Sequence, residues 1–328
     1  MSLFPPLTRA TSSLAVATML SAAPAAAQDV ELRELPTTQP AVQVEQGVTL
    51  TDSPAPVADD FIDIAHDALP LLWHVEGPAG QAWLLGTVHV GIDWDTMAPS
   101  VHGALSSSDI VAIETDVRAI NPFELFAMAQ ATDDAPGVAY YFDDAQVSAL
   151  TEQLDGLIPG PALHDLQPWF IMMMQMSLIV PNGELPLDMA VVHAGIEAGK
   201  DLRFLEEWQT QVGAISSMPV DYVVEAITET LTNPDSAAAE LHGLVDAYAA
   251  GDAEKLESLV IDDGELAEWP DFFDVLLYNR NDAWVPTLES WMQDGTVFAA
   301  VGSGHLLGDR SVLSILEDRG YTVTRSGR

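Results

Sequence analysis

Two short segments near opposite ends of the chain share one local design, and together they constrain the fold more than any other feature. Trp83-Leu84-Leu85-Gly86-Thr87-Val88-His89 and Ala299-Ala300-Val301-Gly302-Ser303-Gly304-His305 are each an apolar, strand-like run that breaks at a glycine and delivers a histidine three residues later. A buried strand needs partners for its backbone N–H and C=O groups, so the two ends are expected to meet in one sheet across everything between them. Histidine is the commonest metal ligand and the usual acid/base group near neutral pH. Two of them on strand-end loops of one sheet define a candidate site. With 22 glycines in 328 residues, about half a Gly-x-x-His match is expected by chance across the eight histidines, and the other six lack a glycine at that spacing. The weight of the pair therefore comes from the apolar runs that precede both copies. Locally, the same residues are equally consistent with loop histidines bonded to backbone.

The segments between and around the pair fill in a fold class. Leu71 to Glu76 and Gln81 to Gly86 read as a hairpin around Gly77-Pro78-Ala79-Gly80. Thr96 to Ser107 reads as a helix with Pro99 in its first turn. Ile110-Val111-Ala112-Ile113-Glu114 and Arg203-Phe204-Leu205-Glu206 are short apolar strands that end in acid. Thr296 to Val301 is the next strand, Leu306 to Arg319 a helix, and Tyr321 to Arg325 a closing strand. Helical patterns dominate from about 121 to 294. The expected fold is therefore α/β: a central, mostly parallel or mixed sheet built from the N- and C-terminal segments, with a large helical insertion between them. Parallel sheets place their sites beyond the strand carboxyl ends, which puts His89, Glu114, Glu206 and His305 at one edge.

Composition and the leading segment bound the setting. Residues 1–27 carry Arg9, a short Ala/Ser-rich apolar stretch and Ala25-Ala26-Ala27, the pattern of a cleaved signal peptide. Residues 28–60, punctuated by Pro36, Pro40, Pro54 and Pro56, read as a flexible linker, and 61–328 as the folded domain. No later run is apolar and long enough for a membrane span, so a periplasmic or secreted chain without membrane insertion is expected. The sequence has no cysteine, which excludes disulfides, a thiol nucleophile and cysteine-based metal sites within it. Its formal net charge of −39 repels nucleic-acid phosphate, so a peptide or small-molecule substrate is the expected partner.

In order along the chain, Leu72-Trp73-His74-Val75, Leu85-Gly86-Thr87-Val88-His89, Glu114-Thr115-Asp116, Gln167-Pro168-Trp169, Leu187-Asp188, Leu205-Glu206 with Gln211, Arg280-Asn281 and Val301-Gly302-Ser303-Gly304-His305-Leu306-Leu307-Gly308 resemble the TraB/GumN family. That family is related to the Tiki proteases and more distantly to ChaN-like and erythromycin-esterase-like proteins. The resemblance runs from about Leu71 to Arg325 and implies a metal-dependent hydrolase, with a protease as the expected kind, and with both histidines and a glutamate at its centre. On that reading His89 and His305 bind a divalent ion (zinc, manganese or cobalt), with Glu114 or Glu206 as third ligand and the other glutamate as general base on bound water. Arg280 either stabilises substrate charge or is a buried ion-pair partner of those glutamates. Asp116 and Asp188 are candidates for orienting an imidazole N–H. Two other readings stay open: a non-catalytic peptide- or haem-binding protein, and a metal-free hydrolase with His89 as general base.

Overall fold

The computed structural model describes residues 69–88, 92–179, 186–261 and 263–327. The expected signal peptide and linker lie outside them, and so does His89.

Six strands make one mixed sheet in the order β4-β3-β5-β2-β1-β6. The strands are β1 (Leu72–Gly77), β2 (Gly80–Thr87), β3 (Ile110–Ile113), β4 (Asp201–Phe204), β5 (Val297–Gly302) and β6 (Thr322–Arg325). β2, β5, β3 and β4 run parallel, while β1 is antiparallel to both of its neighbours, β2 and β6. The two ends do meet: β5 lies between β2 and β3, with Gly86 opposite Val301 and Thr87 opposite Gly302. All four residues of β3 and all six of β5 are buried, as expected for inner strands covered on both faces. The edge strands β4 and β6 have partly exposed residues.

Helices cover the sheet and extend into a layer of their own. α1 (Pro99–Ser107) packs on β2, α3 (Leu187–Glu197) on β3, β4 and β5, and α7 (Asn279–Asp294) on β2 and β5. Between these, α2 (Pro168–Ile179), α4 (Trp208–Ser216), α5 (Val220–Thr232) and α6 (Pro234–Ala249) build the helical layer of the insertion. α2 carries Met172, Met173 and Met176, all of them core side chains, in keeping with methionine as adaptable packing.

The helix expected from Leu306 starts only at Val312 (α8, Val312–Asp318). Two local causes account for the delay. Gly308 sits at φ 78°, which breaks helical geometry, and the Ser311 hydroxyl caps the later start by accepting from Ser314 N at 3.2 Å. The residues before Gly308 instead form a single 3-10 turn, Ser303–His305, directly after β5.

Candidate functional site

The four parallel strands end on the same edge of the sheet, and each end is tied to a neighbour. Glu114 follows β3 and Glu206 follows β4 by two residues; Glu206 N donates to Glu114 O at 2.9 Å, extending the pairing past both strands. Gly302 closes β5, and its N–H, past the last residue paired with β3, donates to Glu114 Oε1 at 2.6 Å. The end of β2 is anchored by three side chains. Tyr248 Oη donates to Gly86 O at 2.8 Å, Ser303 Oγ to Thr87 O at 2.8 Å, and Thr87 Oγ1 to Asp188 Oδ1 at 2.6 Å. Asp188 thus supports the backbone that leads to His89.

A guanidinium lies at the centre. Arg280 is the second residue of α7, just after a π-helical turn, Asp274–Tyr278, which Asn279 N closes by bonding back to Asp274 O. The wide turn takes carbonyls out of α-helical register, and Leu276 O accepts Arg280 Nη1 at 2.8 Å. The other Nη1 proton points to His305 Nε2 at 3.1 Å. Nη2 donates to Glu114 Oε2 at 2.6 Å and to Glu206 Oε1 at 2.7 Å. Nε is shared between the two oxygens of Glu206 at 3.0 and 3.1 Å. A guanidinium has five N–H donors, and all five are engaged inside a cluster where Arg280 is only 4 % exposed.

These partners fix the imidazole. Arginine can only donate, so His305 Nε2 is an acceptor. Asn281 Nδ2 donates to Arg310 O at 2.9 Å, which turns Asn281 Oδ1 toward the ring, and His305 Nδ1–H donates to it at 2.6 Å. His305 is therefore the neutral Nδ1–H tautomer. Trp284 completes the enclosure. Its ring lies tilted against His305, centroids 4.3 Å apart at an interplanar angle of 42°, and 4.8 Å from the guanidinium carbon, and its Nε1 donates to Glu206 Oε2 at 3.2 Å. Burial pushes the Glu206 carboxyl up, and Arg280 opposes the shift. Burial would lower the Arg280 pKa, but Glu114 and Glu206 outweigh it and hold the group charged.

The sequence-predicted residues Glu114, Glu206, Arg280 and His305 are thus gathered in one buried cluster, and His89 lies outside the described residues. Asp116 stands apart: it caps the turn Val117–Ala119 and pairs with Arg118 at 2.7 Å. His74 lies against Trp83 and His102 against Trp94. Trp284 and the orienting role of Asn281 were not anticipated. A helical tryptophan reads as core, and it is core at 1 % exposure, but its ring nitrogen also holds a carboxylate. The usable signal was spacing: Arg280 and Trp284 are one helical turn apart and share a face.

A metal ion needs lone pairs that converge on an open position. Among the described residues no three His, Cys, Asp or Glu side chains are so arranged. His305 Nε2, Glu114 Oε2 and both Glu206 oxygens are turned on Arg280 instead. As they stand, these donors do not fit a metal.

The TraB/PrgY/gumN family matches residues 71–325. Two curated proteins of Danio rerio are similar to the chain. Metalloprotease TIKI1 is 23% identical over 318 residues, covering 78% of this chain and 63% of that protein. Metalloprotease TIKI2 is 22% identical over 319 residues, covering 78% of this chain and 61% of that protein. The chain thus spans less than two thirds of the length of these relatives. No solved structure matches it.

Proposed function

The chain belongs to the TraB/PrgY/gumN family, and from that premise we propose that it is an exported hydrolase of peptides centred on Glu114, Arg280, Glu206 and His305. The observation that carries the reading is their convergence, buried, beyond the carboxyl ends of four parallel strands, where α/β sheets place their sites. Relatives named metalloproteases supply the reaction class. Among the described residues no helix is long and apolar enough to cross a membrane.

Metal dependence, on one divalent ion of the zinc, manganese or cobalt class, belongs to the proposal through those relatives. In the arrangement described, Arg280 occupies the donors such an ion would need. What the chain's own residues do is hold a proton position and a charge. Asn281 keeps the His305 proton on Nδ1, and Nε2 accepts from Arg280 Nη1 at 3.1 Å. Glu114 and Glu206 keep Arg280 charged and fixed against it. The saturation of Arg280 favours a second reading, hydrolysis without metal, with His89 as general base.

Peptide-library cleavage by the purified protein, in chelator and with added manganese, cobalt or zinc, tests both readings. Cleavage that depends on metal supports the first, and cleavage that persists in chelator supports the second. A folded protein that cleaves nothing in either condition sinks the hydrolase proposal. Export is tested separately by the mass of the protein from its native host, expected to begin at Gln28.

A further inference from the structure

The cluster has the composition of a cation site, and the cation it holds is the protein's own. Two carboxylates, one imidazole nitrogen and one carbonyl converge at 2.6 to 3.1 Å on the nitrogens of Arg280. Glu114 and Glu206 come from different strand ends and His305 from the turn after β5, so three separate parts of the sheet edge aim at one point. We infer that the Arg280 guanidinium is the resident cation of the Glu114–Glu206–His305 cradle, and that a divalent metal ion can take these donors only by displacing it. The inference rests on the site proposed above but concerns what occupies it.

Three features of the cradle support this. The match is complete on the arginine side: none of its five N–H donors is left for a substrate or a water. It is held from outside the acid pair as well, because Leu276 O accepts from Nη1 and the guanidinium carbon lies over the Trp284 ring at 4.8 Å. Finally, the imidazole lone pair that would face a metal is the one that Nη1 approaches, while Nδ1 is committed to Asn281. A second positive charge among the same donors would sit within a few ångströms of the guanidinium in a site shut off from water, where like-charge repulsion is poorly screened. An uncharged side chain of similar length at position 280 would leave two carboxylates and Nε2 facing one space. That oxygen and nitrogen set suits zinc, cobalt or manganese.

The test uses the whole chain, stripped with chelator. Long-range ¹H–¹⁵N spectra follow the His305 ring nitrogens, assigned by comparison with His305→Ala, while zinc is added to one equivalent. In the wild type His305 should keep Nδ1 protonated and Nε2 unshifted. Arg280→Met should gain zinc or cobalt affinity at this cradle by at least about 100-fold, with the Nε2 resonance moving on addition and the gain lost when His305→Ala is added. The wild-type spectrum decides the matter even if Arg280→Met does not fold. An Nε2 signal that moves with stoichiometric zinc in the wild type, and no longer does so in Glu206→Gln, overturns the inference. So does a folded Arg280→Met variant with no gain. Peptide cleavage is scored separately, because its absence would remove the hydrolase reading and leave the metal result standing.

Discussion

Glu206 accepts from Arg280 at both oxygens and from Trp284 at one, so its removal leaves a buried guanidinium short of its main partner. Breaking a buried pair from one side costs more than the pair contributes, because the remaining charge is uncompensated. Glu206→Ala should lower stability by about 3–5 kcal/mol in urea unfolding, and Glu206→Gln by less, since it keeps an acceptor. A second carboxyl gives a pH effect. On α6, Glu240 is half-buried near Glu229 of α5, and burial first, then that neighbour, push its pKa from 4.5 to about 7. A raised carboxyl pKa means the fold holds the proton more tightly than the unfolded chain. Its contribution is full below about 4.5 and lost as pH rises through about 7. Glu240→Gln should therefore flatten the stability profile over that window and gain about 1 kcal/mol at pH 8 after allowance for solvent screening, read from melting curves at several pH values. At this scale the sequence showed acids and histidines at strand ends, because a polar residue closing an apolar run is conspicuous. It could not show that Asn281 fixes the His305 tautomer, because that depends on Arg310 O, which a helix and a loop bring together from 29 residues away.

The strands were legible because each is a compact apolar run between turn residues. The hairpin from Leu72 to Thr87 and the acid-ended strands are found within a residue or two of where the pattern puts them. The start of α8 was not, since Leu306 and Leu307 look helical but are buried beside a glycine in left-handed geometry. The π turn was equally hidden: its residues are ordinary helix formers, and only the fit of Arg280 against Leu276 O gives it a use. Another junction depends on glycine for a clear reason. Gly251 has φ 67°, and a Cβ there would run into the Leu69 carbonyl. Arg325 of β6 bonds Gly251 O at 2.7 Å, Leu69 O at 3.0 Å and Pro70 O at 3.2 Å, tying the helical layer to the start of the sheet. Gly251→Ala should cost about 2 kcal/mol or more through strain and collision together, measured by chemical unfolding, whereas Gly243→Ala, where added bulk meets nothing, should not.

Over the whole molecule, a formal charge of −39 works against compactness. Few cations offset it, and among the described residues the exposed Arg118, Arg310 and Arg319 are already paired, with Asp116, Asp274 and Glu289. Raising sodium chloride from 0.1 to 1 M should therefore raise the melting temperature by several degrees, because screening relieves the repulsion. A protein of balanced charge would show little change. The pairing of the two chain ends was readable from the need of each apolar run for partners. The order of strands was not, since nothing local tells β5 to enter between β2 and β3. That placement bears on how the polypeptide is born. The strand that joins the two halves of the sheet pairs with residues far away along the chain, Val297 with both Ala82 and Ile110, so the hydrogen-bonded scaffold is complete only once the whole helical insertion has been passed. Until then the β1–β2 hairpin and the β3–β4 pair each keep one edge without its partner strand, a template for wrong pairings that a chaperone would have to cover.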